Sequence, residues 1–131
     1  MQVDNQKIPF FYLGLDIPMV SVFKDKNLEK NTVKTTIPIS ELLNKYNGEI
    51  QTNKKSYKIL ETPEYLVLHL KRFVHNNFFL EKNPTLVSFP MEGLEIQNSK
   101  YDLMANILHD GDQKAGIYKI QIQNPETWVE I

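Results

Sequence analysis

The segment Tyr65–Phe73, YLVLHLKRF, constrains the fold of this chain more than any other. Side chains alternate faces along an extended backbone. Leu66, Leu68 and Leu70 therefore share one side, and Tyr65, Val67, His69, Lys71 and Phe73 share the other. That period suits a strand and not a helix. The segment is expected to be a central strand, covered on its leucine face and at least partly on the second.

Proline and turn residues cut the remainder into short pieces. IPFFYLGLDI (Ile8–Ile17) stops at Pro18, and Thr85–Phe89 stops at Pro90. The turn Asn76-Asn77 precedes Phe78–Leu80, which is expected to begin a return strand. Tyr101–Leu108 and Ile117–Gln123 are expected strands flanking a Gly- and Asp-rich loop, His109–Gly116. Asn124-Pro125-Glu126 turns the chain into a last strand, Trp128–Ile131. One helix is expected. Pro38 suits its first turn, and Ile39, Leu42, Leu43 and Tyr46 repeat on one helical face. Gly48 suits a left-handed C-terminal cap, and Lys24–Thr35 reads as a loop. The expected fold class is α+β, dominated by β, a mostly antiparallel sheet with one helix.

At 131 residues the chain is one domain or a large part of one. It contains no cysteine, which removes disulfides, cysteine-held zinc, iron–sulfur clusters and a thiol nucleophile from this sequence. Net charge is −1 with scattered Lys and Arg, so no footprint for nucleic acid or an anionic membrane stands out. No apolar run approaches a membrane span, and the polar start MQVDNQK is unlike a secretory signal. An intracellular location, cytosol or nucleus, is expected.

Several segments, in order, resemble the C-terminal half of ubiquitin-specific proteases. They are LETPEYLVLHLKRF (Leu60–Phe73), TLVSFPMEGLEI (Thr85–Ile96), YDLMANILHDG (Tyr101–Gly111), AGIYKI (Ala115–Ile120) and the Trp128 strand. FFYLGLDIP (Phe10–Pro18) resembles the strand before their helical segment. NNFFLEKNPTLVSFP (Asn76–Pro90) and NILHDG (Asn106–Gly111) are most similar to the family's catalytically inactive splicing-factor branch. The resemblance implies a papain-like cysteine-proteinase fold described as a hand. Residues 1–131 would be palm and fingers, with the thumb and its nucleophilic cysteine before Met1 and the last strands after Ile131.

The same resemblance bears on chemistry. Active members carry their catalytic imidazole in a Gly-His-Tyr motif after the Gly-rich loop. Here the matching residues are Gly116, Ile117 and Tyr118. An isoleucine cannot accept a proton, and losing general-base help alone lowers a rate by about 10²–10⁴. The residue that orients the imidazole would follow Trp128 by a few positions, beyond Ile131. Many members hold zinc with two Cys-x-x-Cys pairs; Tyr46–Leu60, where the second would fall, has none. No metal and no cofactor is expected. His109 reads as a hydrogen-bonded loop residue, His69 as a packed or cross-strand residue, and His75 as solvent-facing. His109, Asp110 and Asp112 lack the ligand number and spacing of a metal site.

By resemblance, the expected function is a non-catalytic scaffold in a pre-mRNA splicing factor. Spliceosomal proteins of the tri-snRNP would be its partners, with ubiquitin as a further candidate, and a nuclear location would go with them, the cytoplasm being the alternative. Two other readings stay open: a divergent active ubiquitin C-terminal hydrolase with a base from elsewhere, and a ubiquitin-binding module without cleavage. Candidate partner contacts are Phe78 and Phe79, which could equally pack inside, and His109, Asp110 and Gly111. The Gly111–Ala115 loop is expected to be mobile and to shape any residual cleft.

Overall fold

A computed structural model of the chain describes residues 4–18, 36–51, 54–75 and 80–131. The expected loop Lys24–Thr35, the turn Asn76-Asn77, and Phe78 and Phe79 lie outside the described residues. The first half runs β1 (Leu13–Asp16), β2 (Thr36–Pro38), α1 (Ile39–Leu43) with a 3-10 turn (Asn44–Tyr46), β3 (Leu68–Lys71), β4 (Phe73–His75) and β5 (Leu80–Lys82). The second half runs β6 (Leu86–Ser88), β7 (Leu94–Ile96), β8 (Ser99–Tyr101), β9 (Ala105–Gly111), β10 (Gly116–Gln123) and β11 (Trp128–Glu130). Among the described residues no helix is long and apolar enough to cross a membrane.

Strand pairing is mostly antiparallel, as expected: β4 with β5, β7 with β8, and a three-stranded sheet ordered β11-β10-β9. Two pairs are parallel and join segments distant in sequence. In β1–β3, Leu13 faces Leu68 and Leu15 faces Leu70; in β2–β6, Ile37 faces Val87.

Four expectations need correction. Of the expected strand Tyr65–Phe73, Tyr65–Val67 lie before β3, and the run is broken at Arg72, whose carbonyl accepts from Asn83 N (2.5 Å) and whose guanidinium donates to the carbonyls of Asn83 (3.1 Å) and Thr85 (2.6 Å). Its leucine face is partly buried, but Tyr65, Val67, His69, Lys71 and Phe73 are exposed, so the second face is not covered by the described residues. Tyr101–Leu108 is interrupted at Asp102–Met104, where Asp102 Oδ1 accepts from Gly93 N (3.0 Å) and Leu103 N donates to Met91 O (2.9 Å). His109–Gly116 is not one loop: β9 runs through Gly111, and only Asp112–Ala115 turns.

Pro38 stands immediately before α1, with φ −71°, and closes β2. Gly48 takes the left-handed conformation expected of it (φ +88°) and donates to Tyr57 O at 2.8 Å. The core forms where α1 meets β1 and β3. Leu15 is fully buried and packs in one cluster with Ile17, Ile39 and Leu42; Leu13, Ile59 and Ile96 form a second. Leu43, Tyr46, Leu68 and Leu94 pack against both clusters and join them. Tyr46 also donates its hydroxyl to Gly14 O at 2.7 Å, which ties the 3-10 turn to β1.

At the end of β1, Asp16 meets Lys45 at 2.8 Å and Lys71 at 3.6 Å. The hydrogen bond from Lys45 holds the Asp16 carboxyl below its ordinary value of 3.8, against the opposing effect of partial burial. A depressed folded-state value means that this stabilisation is present above the unfolded-state value and lost as pH falls through the folded one. The Asp16 side chain is 63% exposed, so screening keeps the effect under about 1 kcal/mol. Urea titrations at about pH 6 and about pH 3 should show a smaller acid loss in Asp16→Asn than in the wild type. Equal acid losses would contradict the assignment.

Candidate functional site

The Gly-Ile-Tyr motif opens β10, directly across a hairpin from β9. Register places Gly116 opposite Gly111, Ile117 opposite Asp110, and Tyr118 opposite His109. The intervening turn is held by Asp112, whose Oδ1 accepts from Lys114 N and Ala115 N, both at 2.8 Å. Those backbone donors, Ala115 first, lower the Asp112 pKa below its ordinary value. Gly111 has φ +125°, and a Cβ there would collide with Ala115 O. Glycine at 111 is therefore a condition for closing the hairpin.

Ile117 is 67% exposed and shares its face with Asp110. His109 does not stand in for it. Residues adjacent on a strand point to opposite sides, and His109 is paired with Tyr118, so its ring lies on the face away from Ile117. The expected hydrogen-bonded loop histidine is thus a strand residue packed among rings. Its imidazole stands edge-on to Phe73 (centroids 5.4 Å apart) and tilted against Tyr118 (4.9 Å). Its Nδ1 is buried with no hydrogen-bond partner among the described residues. His69 is exposed beside Tyr12, with ring centroids 5.6 Å apart, and His75 is exposed at the end of β4. Among the described residues no three His, Asp or Glu side chains gather to hold a metal.

The family model for ubiquitin carboxyl-terminal hydrolase matches residues 15–131. The chain belongs to this family. Ubiquitin carboxyl-terminal hydrolase 39 of Homo sapiens is 35% identical over 144 residues, covering 93% of this chain and 25% of the relative. The probable mRNA-splicing protein ubp10 of Schizosaccharomyces pombe is 32% identical, covering 98% of this chain and 30% of its own length. The pre-mRNA-splicing factor SAD1 of Saccharomyces cerevisiae is 32% identical, covering 94% and 31%. A chain in the solved structure of the yeast SAGA DUBm with a mutant Sgf73 superposes with a TM-score of 0.66 at 26% identity, over 94% of this chain and 30% of that one. The chain therefore spans a quarter to a third of the relatives' length.

Two features of the β9–β10 hairpin have no signal in the local sequence. Lys82 of β5 donates its ammonium to His109 O (3.0 Å) and Gly111 O (2.8 Å), capping part of the outer edge of β9. A lysine on a sheet edge discourages strand addition there. Nothing in the local sequence of Lys82 signals that role, because the contact is made across 27 positions of chain. The second feature is Gly116, where a Cβ would fall on His109 Nε2 and 3.1 Å from Asp110 O. With its ring held by Phe73 and Tyr118, His109 has little room to yield. Gly116→Ala is expected to destabilise the hydrolase-family fold by about 1–3 kcal/mol in urea titration, as overpacking does elsewhere. His109→Ala in the same chain should relieve most of that loss, and no relief would show that the glycine serves another purpose. A shallow groove beside α1, lined by Pro38, Ile39, Phe89, Pro90 and Leu94, includes none of Gly116, Ile117 or Tyr118.

Proposed function

We propose that the chain is part of a non-catalytic ubiquitin-hydrolase-like module that binds protein in pre-mRNA splicing. Residues 1–131 form the palm and fingers of that module. The reading rests on Ile117, an exposed hydrocarbon at the position that the resemblance matches to the general base, and on the neighbouring imidazole of His109, which lies on the other face of the hairpin. Thiol hydrolysis needs a base that can reach the nucleophile, and among the described residues no imidazole shares the face of Ile117, whose cross-strand partner is the carboxylate Asp110. Two relatives are named as mRNA-splicing proteins, which supports spliceosomal partners and a nuclear location. Phe78, Phe79, His109, Asp110 and Gly111 are the proposed contact residues. Asp110 is exposed and is paired across the hairpin with Ile117.

Depletion and add-back in a splicing-competent extract tests the binding role. The complete natural polypeptide should restore splicing, and Ile117→Ala should restore it to a similar extent. In parallel, a fluorogenic ubiquitin C-terminal conjugate should be turned over no faster than in buffer. Failure to restore splicing together with turnover of the conjugate would overturn the proposal.

A further inference from the structure

We propose that Asn47 is a latent modification site: the backbone nitrogen of Gly48 converts it to aspartate or isoaspartate, and the bridge between Asn47 and Lys58 holds that reaction off until it opens. Asn47-Gly48 is the one Asn-Gly step in the sequence. Glycine matters here because it has no Cβ to shield its nitrogen or to restrict rotation around it. Both residues are exposed, so water reaches them.

The step exchanges one amide for another and is redox-neutral. The Gly48 nitrogen attacks Asn47 Cγ, a new C–N bond closes a five-membered imide, and the Cγ–Nδ2 bond breaks. Nδ2 leaves as ammonia, taking the proton that the Gly48 nitrogen gives up. Water then opens the imide. Opening at Cγ yields aspartate; opening at the backbone carbonyl yields isoaspartate, in which Cβ has entered the main chain.

The folded geometry opposes ring closure. A flat ring needs Asn47 Cβ and the Gly48 nitrogen eclipsed across the Cα–C bond. Asn47 has φ −86° and ψ −1°, so its own backbone nitrogen eclipses that of Gly48 instead. The nucleophile is also engaged, because Gly48 N donates to Tyr57 O at 2.8 Å. Rotation about ψ swings that N–H away from its acceptor, so reaction and local opening are one motion. The electrophile is held as well: Asn47 Oδ1 accepts from Glu49 N at 2.8 Å.

The clasp that keeps the bridge shut lies beside it. The Tyr57 ring stands against Tyr46 with centroids 6.1 Å apart, and the Lys45 ammonium is 5.6 Å from both centroids. Outside this clasp the bridge is exposed, the kind of unit that opens without global unfolding. The aspartate product keeps an oxygen for Glu49 N. Isoaspartate lengthens the main chain by one carbon and displaces Gly48 from Tyr57 O, so an opening that reacts is recorded permanently. None of this involves Ile117.

The test incubates the complete natural polypeptide at mildly alkaline pH in heavy-oxygen water, followed by digestion and peptide mass spectrometry. Asn47 should convert at least about tenfold more slowly in the folded protein than in concentrated urea. Asn124 precedes proline, whose nitrogen carries no proton, and serves as the unreactive reference. Tyr57→Ala, which removes a ring from the clasp, should raise the folded-state rate several-fold. In the unsubstituted protein, conversion in low urea should rise in step with hydrogen exchange at the Gly48 amide, which keeps the test independent of how the variant folds. Equal conversion in folded and unfolded protein would overturn the proposal. So would an Asn47 that stays intact in concentrated urea, a folded Tyr57→Ala protein that reacts no faster, or conversion that rises while Gly48 remains protected.

Discussion

Asn83→Ala is expected to remove about 3–5 kcal/mol of stability, a large share of the roughly 5–15 kcal/mol that holds a domain together. Asn83 is 2% exposed. Its amide nitrogen donates to Ile17 O (3.2 Å) and Pro18 O (3.1 Å), and its Oδ1 accepts from Thr85 N (3.0 Å) and Thr85 Oγ1 (2.7 Å). The backbone of Asn83 is in turn fixed by Arg72. One side chain thus fastens the end of β1 to the approach of β6. Alanine would strand the Thr85 amide and hydroxyl in a buried place, and each abandoned group costs about 1–3 kcal/mol. Asn83→Asp keeps the acceptor but turns a carboxylate toward two carbonyls, so it should be at least as damaging at neutral pH and partly recover once protonated in acid. Urea titration followed by circular dichroism measures both. A loss under about 1 kcal/mol for alanine would mean that water replaces the amide at no penalty.

Leu15→Ala should be comparable in size, about 3–5 kcal/mol, for a different reason. Leu15 is the one completely buried large side chain among the described residues. It packs with Ile17, Ile39 and Leu42, and partly buried Leu68, Leu70 and Val87 surround the same cluster. Truncation removes the transfer free energy of the lost carbons and leaves a cavity walled by two parallel strand pairs and a helix, which cannot easily collapse together. By contrast Leu60→Ala, at a side chain 60% exposed, should change stability by less than about 0.5 kcal/mol. The midpoint of chemical denaturation reads both. Equal effects at the two positions would contradict the placement of the core.

The local rules that could be read in the sequence were those that depend on neighbouring residues. The Leu66, Leu68 and Leu70 alternation, the left-handed Gly48 and the final Trp128 strand all follow from spacing or from one residue's conformational freedom. Long-range partners were not legible. Arg72 sits inside a run with ideal strand alternation, yet it leaves the strand to serve carbonyls 11 and 13 residues away. Asn83, in Asn-Pro-Thr, carries the composition of a turn but lies buried as a hydrogen-bond hub. At the site, the Gly116-Ile117-Tyr118 motif was legible and its neighbour was not. Asp and Gly made His109–Gly116 look like a loop, whereas cross-strand pairing draws His109, Asp110 and Gly111 into β9. No local pattern distinguishes a glycine that forms a loop from one that closes a hairpin under a ring.

The most direct measurement is reaction of the complete natural polypeptide with ubiquitin bearing a thiol-reactive C-terminal warhead, followed by intact mass spectrometry. A hydrocarbon at position 117 leaves no imidazole on that face to ionise a sulfur, so the mass of the polypeptide should stay unchanged. Addition of one ubiquitin at a cysteine, lost on substitution of a histidine in the same protein, would contradict a chemically silent site.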